Sequence, residues 1–127
     1  MQPKQPIHSD GAVTPRGAYS QAIRRGNIIM TAGLGPQDAV TGRVVGEDIE
    51  AQTRQVLASL RAVLREAGAG FEDVIKVTVH LQHLERDFPA FNRVYGEVMP
   101  EPWPARTTVG STLAGILVEI DMVAVLG

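Results

Sequence analysis

The chain of 127 residues carries 12 Lys and Arg against 14 Asp and Glu, a net charge of −2, and no cysteine. The length suits one domain with a real hydrophobic core. Interspersed charges of near-equal number disfavour a nucleic-acid surface, 5% aromatics disfavour base stacking, and the missing cysteine excludes disulfides, thiolate zinc sites and thiol nucleophiles.

Residues 1–17 are rich in Pro and Gly and are expected to lie over the surface of a single domain spanning 1–127. They lack the apolar core of a signal peptide, and no apolar run approaches membrane-spanning length, so a cytoplasmic protein with no membrane partner is expected. Tyr19 to Arg24 reads as a first strand and Asn27 to Ala32 (NIIMTA) as a stronger one, with Gly26-Asn27 a tight turn between them. Thr41-Gly42 marks a further turn.

A long helix follows Asp48, its N-cap. Thr53, Val56, Leu57, Leu60, Val63, Leu64 and Ala67 keep the three-and-four spacing of one face, and Gly68 stops it. Val74 to Gln82 alternates, with Ile75, Val77, Val79 and Leu81 expected on one side. Asp87 is expected to cap a second helix running to Met99, with Pro89 in its first turn. PEPWPAR then breaks the helix and leads into a strand from Arg106 to Gly110, and ILVEIDMVAVL (Ile116–Leu126) forms the last strand. This order predicts an α+β domain: one mixed sheet with both helices packed on one face. The last strand is apolar on both sides, so its second side needs another cover, and a second copy of the chain is the simplest one.

Glu119 and Asp121 sit inside that apolar strand. If the last two strands form a hairpin centred on Thr112-Leu113, Arg106 faces Glu119 on the open side of the sheet. On the residues alone, a buried carboxylate beside an arginine is more often a structural ion pair than a site. Asp121 reads as a rim or capping carboxylate. His8, His80 and His83 offer no metal-ligand spacing with further ligands, and no metal is expected. Gly33-Leu34-Gly35 reads as turn chemistry, since a dinucleotide loop needs a third glycine and a following helix. Trp103, between two prolines, reads as a packed anchor. Asn92 and Tyr95 fit helix-surface and core positions.

Taken together, GAYSQAI (Gly17–Ile23), NIIMTAGLGP (Asn27–Pro36), TGRVVGEDIEAQTRQVLASLRAVLREAG (Thr41–Gly68), DVIKVTVHL (Asp73–Leu81), FPAFNRVYGEVM (Phe88–Met99), PARTTVG (Pro104–Gly110) and LVEIDMVA (Leu117–Ala124) resemble the Rid family, also called YjgF, over about residues 15–125. The resemblance implies a chorismate-mutase-like α+β fold assembled as a homotrimer with clefts between subunits. It implies hydrolysis of enamine and imine intermediates such as 2-aminoacrylate to 2-oxo acids and ammonia, without a cofactor. Arg106 matches the arginine that binds the substrate carboxylate, Glu119 the residue that activates water, Tyr19 the tyrosine lining the cleft, and Gly33 a glycine whose backbone touches ligand. Thr108 and Asn92 complete the candidate substrate-binding set. Ala32 stands where the best-known deaminases of the family carry serine, Thr108 where they carry cysteine, and the segment between Arg106 and Glu119 is about two residues shorter than theirs, which points to a side branch. A non-catalytic, ligand-binding or chaperone-like trimer is the alternative. An endoribonuclease fits the charge balance less well.

Overall fold

A computed structural model describes residues 2–127. Six strands and two helices follow in the order β1 (Gln5–Ile7), β2 (Ala22–Arg25), β3 (Ile28–Thr31), α1 (Ile49–Glu66), β4 (Val74–Leu81), α2 (Leu84–Val98), β5 (Ala105–Gly110) and β6 (Val118–Val125). The strands form one mixed sheet in the order β1-β2-β3-β6-β4-β5, in which only the β4–β5 pairing is parallel. The N-terminal segment, expected over the surface, contributes the edge strand β1, which pairs with β2 from Gln5↔Arg24 to Ile7↔Ala22.

α1 forms where its spacing predicts. The Asp48 side chain accepts from the Ala51 backbone N–H at 2.8 Å, a cap worth about 0.5–2 kcal/mol. Val56, Leu57, Leu60, Val63 and Leu64 are buried against the sheet, each such side chain contributing about 1.5–3 kcal/mol. Gly68, at φ +85, ends the helix in the left-handed conformation that glycine adopts without a Cβ penalty. α2 begins one turn earlier than predicted. His83 takes the cap position, and Asp87 lies inside the helix, buried and held by Arg86 Nε at 2.9 Å. Pro89 therefore sits in the second turn, where its missing N–H leaves the Glu85 carbonyl without a helical donor.

The core lies between the helices and one sheet face. Ile29, Val77, Val79, Leu81, Val118, Ile120, Met122 and Ala124 point into it, all fully buried. Ile75, expected among them, is 55% exposed. The cause is a bulge: Val74 pairs with Ala124 and Lys76 with Val123, so Ile75 is an extra residue and Val74 turns inward in its place. The opposite face of β3 and β6 is uncovered by helix, and Ile28, Met30 and Val125 are exposed there.

The predicted hairpin of the last two strands does not form. β4, α2 and β5 make a β-α-β unit, and a helical crossover of this kind delivers its second strand parallel to the first. β5 thus takes the outer side of β4, and β6 returns antiparallel on the inner side. Residues 111–117 bridge the end of β4, where the Ser111 N–H donates to Leu81 O and the Gln82 N–H to Leu117 O, each at 3.0 Å.

Candidate functional site

This topology decides where the site residues point. Arg106 pairs with Val77 and Thr108 with Val79, so both lie on the helix-covered face at the sheet edge. Glu119 pairs with His80, on the opposite, open face. Arg106 and Glu119 are therefore not cross-strand partners. Within one chain they are two strand spacings apart sideways and three residues apart lengthwise, about 10 Å in each direction, with the sheet between their side chains.

Each residue nevertheless has a cavity. Arg106 reaches over α2, where its Nη2 donates to Asn92 Oδ1 at 2.8 Å and its guanidinium carbon stands 4.7 Å from the Tyr95 ring centroid. Phe88 and Phe91 lie under the same guanidinium at 5.8 and 5.6 Å. Among the described residues no carboxylate forms an ion pair with it. Asn92, Tyr95, Gly96, Trp103, Pro104 and Arg106 line a cavity of about 370 Å³. Burial pushes the Tyr95 phenol above its ordinary pKa, and the Arg106 charge opposes this. The hydroxyls of Tyr95 and Thr108 are buried without a protein hydrogen-bond partner.

Glu119 occupies a second, tighter cavity of about 180 Å³, with Tyr19, Gly33, Gln37, Ile116 and the segment Val13–Arg16 around it. Gly33 is needed for this arrangement, because a Cβ there would run into Glu119 Oε1. The Val13–Arg16 wall is held by Gln21, a fully buried amide. Gln21 Oε1 accepts from the Ser9 N–H at 2.6 Å, and Nε2 lies 3.1, 3.2 and 3.0 Å from the carbonyls of Ser9, Ala12 and Val13. Tyr19 stands between this cavity and an open groove of about 1030 Å³ that runs across Ile23, Ile28, Met30 and Ala32.

The structure thus sorts the predicted residues into two groups: Arg106, Asn92 and Thr108 on one side of the sheet, and Glu119, Gly33 and Tyr19 on the other. Asp121 is not a cap. It pairs with Thr78 on the open face, and burial raises its pKa against the nearby charges of His80 and Lys76. Sequence reasoning did not single out Arg16, Gln37 or Ile116 around Glu119, and Tyr95 was read only as core. Trp103 is 58% exposed, so it is not the packed anchor its prolines suggested. A tryptophan in a short proline-rich segment just before Arg106 was the available signal.

A six-stranded mixed sheet with two helices on one face and a cavity on either side defines a small α+β domain of the chorismate-mutase-like class. Residues 10–126 match the family described as Endoribonuclease L-PSP. The chain is 43% identical over 123 residues to a RutC family protein of Pyrococcus abyssi, covering 95% of this chain and 96% of that one. It is 34% identical over 125 residues to the chloroplastic Reactive Intermediate Deaminase A of Arabidopsis thaliana, covering 97% and 66%. Among solved structures, RidA from an Antarctic Psychrobacter superposes with a TM-score of 0.90 at 33% identity, covering 96% and 99%. TdcF of E. coli with bound serine superposes at 0.89 and 28%, covering 97% and 99%. The chain belongs to the Rid/YjgF family.

Proposed function

We propose that this protein hydrolyses 2-imino acids and their enamine tautomers, such as 2-aminoacrylate, to 2-oxo acids and ammonia in a cleft shared by two copies of the chain within a homotrimer. The observation that carries the reading is the Arg106 guanidinium, seated on aromatic rings, fixed by Asn92 and lacking a carboxylate of its own chain. A planar two-pronged donor matches a carboxylate in charge and orientation, which a lysine does not. The serine bound to TdcF is a ligand of that kind on a similar fold. A relative named Reactive Intermediate Deaminase supports the chemistry.

The same substrate must also meet Glu119. Since Arg106 and Glu119 lie on opposite faces of one sheet, they converge only if the β5 edge of one copy is set against the open face of the next. The exposed apolar residues Ile28, Met30 and Val125 supply a reason for that face to be covered. Arg106 then holds the carboxylate and Glu119 accepts a proton from water as its oxygen bonds to the imine carbon. The proton passes to nitrogen, Glu119 then moves the remaining hydroxyl proton to the same nitrogen as the carbon–nitrogen bond breaks, and the 2-oxo acid and ammonia leave: one imine and one water in, one ketone and one ammonia out. Tyr19 donates to substrate or water, and the Thr108 hydroxyl offers a donor where relatives carry a thiol. A protonated imine is already electrophilic, so orientation and one general base, each worth about 10²-fold or more, are enough.

The test is a coupled assay. 2-Aminoacrylate is generated by a serine dehydratase, and 2-oxo acid formation is followed with wild type, Arg106→Ala and Glu119→Gln. Acceleration by wild type alone is expected. No acceleration by wild type, with ligand still bound, would leave a binding protein rather than an enzyme.

A further inference from the structure

The Arg106 cavity is larger than a three-carbon imino acid requires. We infer that it is a substrate side-chain subsite, walled by Trp103, Tyr95 and Gly96, that selects 2-imino acids with bulky apolar or aromatic side chains. The inference rests on Arg106 as the carboxylate anchor proposed above.

Three observations support it. The first is volume. The cavity measures about 370 Å³, whereas a cavity of about 150 Å³ is enough to hold benzene. A carboxylate on Arg106 therefore leaves room beside it for a ring or a branched chain. The second is chemistry. Trp103 is 58% exposed and makes no aromatic contact among the described residues, while the neighbouring Tyr95 ring is already stacked under Arg106. An indole held open next to a carboxylate-binding guanidinium is suited to cover an apolar group that the same carboxylate tethers. The third is Gly96. A Cβ built on it meets nothing within 4 Å, so this position on α2 opens directly onto free space. Glycine inside a helix costs about 0.5–1 kcal/mol relative to alanine, and no contact in the fold requires its absence of side chain. A long side chain there would narrow the space beside Arg106.

Imines of leucine, phenylalanine and alanine, produced in situ by an amino-acid oxidase, provide the kinetic test. Apolar contacts discriminate by about tenfold or more per group, so kcat/KM for the leucine and phenylalanine imines is expected to exceed that for the alanine imine by at least about tenfold. Trp103→Ala and Gly96→Leu should both bring that ratio close to one. Gly96→Ala, which suits the helix, serves as the folded control for the Gly96 position, with a smaller drop in the ratio. Equal kcat/KM across the three imines, or a preference unchanged in both Trp103→Ala and Gly96→Leu, overturns the inference.

A binding arm separates this from failure of the deaminase reading. Trp103 is the only tryptophan, so its emission reports this cavity alone. Titration with 3-phenylpropanoate should shift the emission at concentrations at least about tenfold below those needed with acetate. That result supports the subsite even if no imine is turned over. Equal responses to the two acids, or emission that changes only with protein dilution because a second copy covers Trp103, overturn it.

Discussion

Mixing two inactive variants tests the shared cleft directly. Arg106→Ala removes the proposed carboxylate anchor, and Glu119→Gln removes the proposed base while keeping its shape. Each alone should lose at least about 10²-fold in kcat/KM. Within one chain, the two side chains are separated by two strand spacings, by three residues along the strands, and by the sheet itself. A three-carbon acid cannot span that gap, so under the proposed mechanism every site takes Arg106 from one copy and Glu119 from the next. In a cyclic trimer formed at random from equal amounts of the two variants, about a quarter of sites then have both groups intact. If the chains carry different tags and mixed trimers are isolated, each contains one intact site, about a third of wild-type activity. The assay is 2-oxo acid release from 2-aminoacrylate, with native mass spectrometry to confirm mixing. If both groups came from one chain, no mixed trimer could hold an intact site, and activity would stay at the level of the parents. That outcome in verified mixed trimers refutes the shared cleft.

Gly33→Ala places a methyl where Glu119 Oε1 lies. It should leave the melting temperature within a few degrees of wild type yet lower kcat by about tenfold to a hundredfold, because the proposed base is displaced by about 1 Å. Gln21→Leu strands the Ser9 N–H and three carbonyls in a buried position. It should cost about 2–4 kcal/mol in urea unfolding, and a loss below about 1 kcal/mol would show that the amide does not hold the wall. Burial raises the Asp121 pKa above its ordinary value of 3.8. The native state then binds more protons than the unfolded one, and stability falls as pH rises from that value through the raised one, with the penalty complete above it. Asp121→Asn should remove this slope and raise the urea midpoint at neutral pH. A slope unchanged in the variant would assign it to another group.

Local signals in the sequence were dependable and non-local ones were not. α1 was readable because Asp48, a regular apolar period and Gly68 all act within a few residues of each other. Ile75 was misplaced because alternation predicts facing only while pairing stays in register, and the bulge between Val74 and Lys76 is visible only once Val123 and Ala124 are known as partners. The hairpin of the last two strands was wrong for a reason the sequence did contain: a 15-residue helix between β4 and β5 signals a parallel crossover, which forces β6 to the other side. For the site, residue types were legible through resemblance to a family, but which face each one occupies depends on pairing parity, and that placed Arg106 and Glu119 apart. Trp103 was undervalued because flanking prolines constrain backbone, not side-chain burial.

If the site is shared as proposed, the parallel seat of β5 beside β4 makes protein concentration a variable of the chemistry. No motion short of stripping six paired positions could carry the guanidinium round to the carboxylate of the same molecule. A lone protomer, however well folded, would be inert, so turnover per molecule should collapse on dilution at the dissociation constant of the assembly, long before any ellipticity is lost.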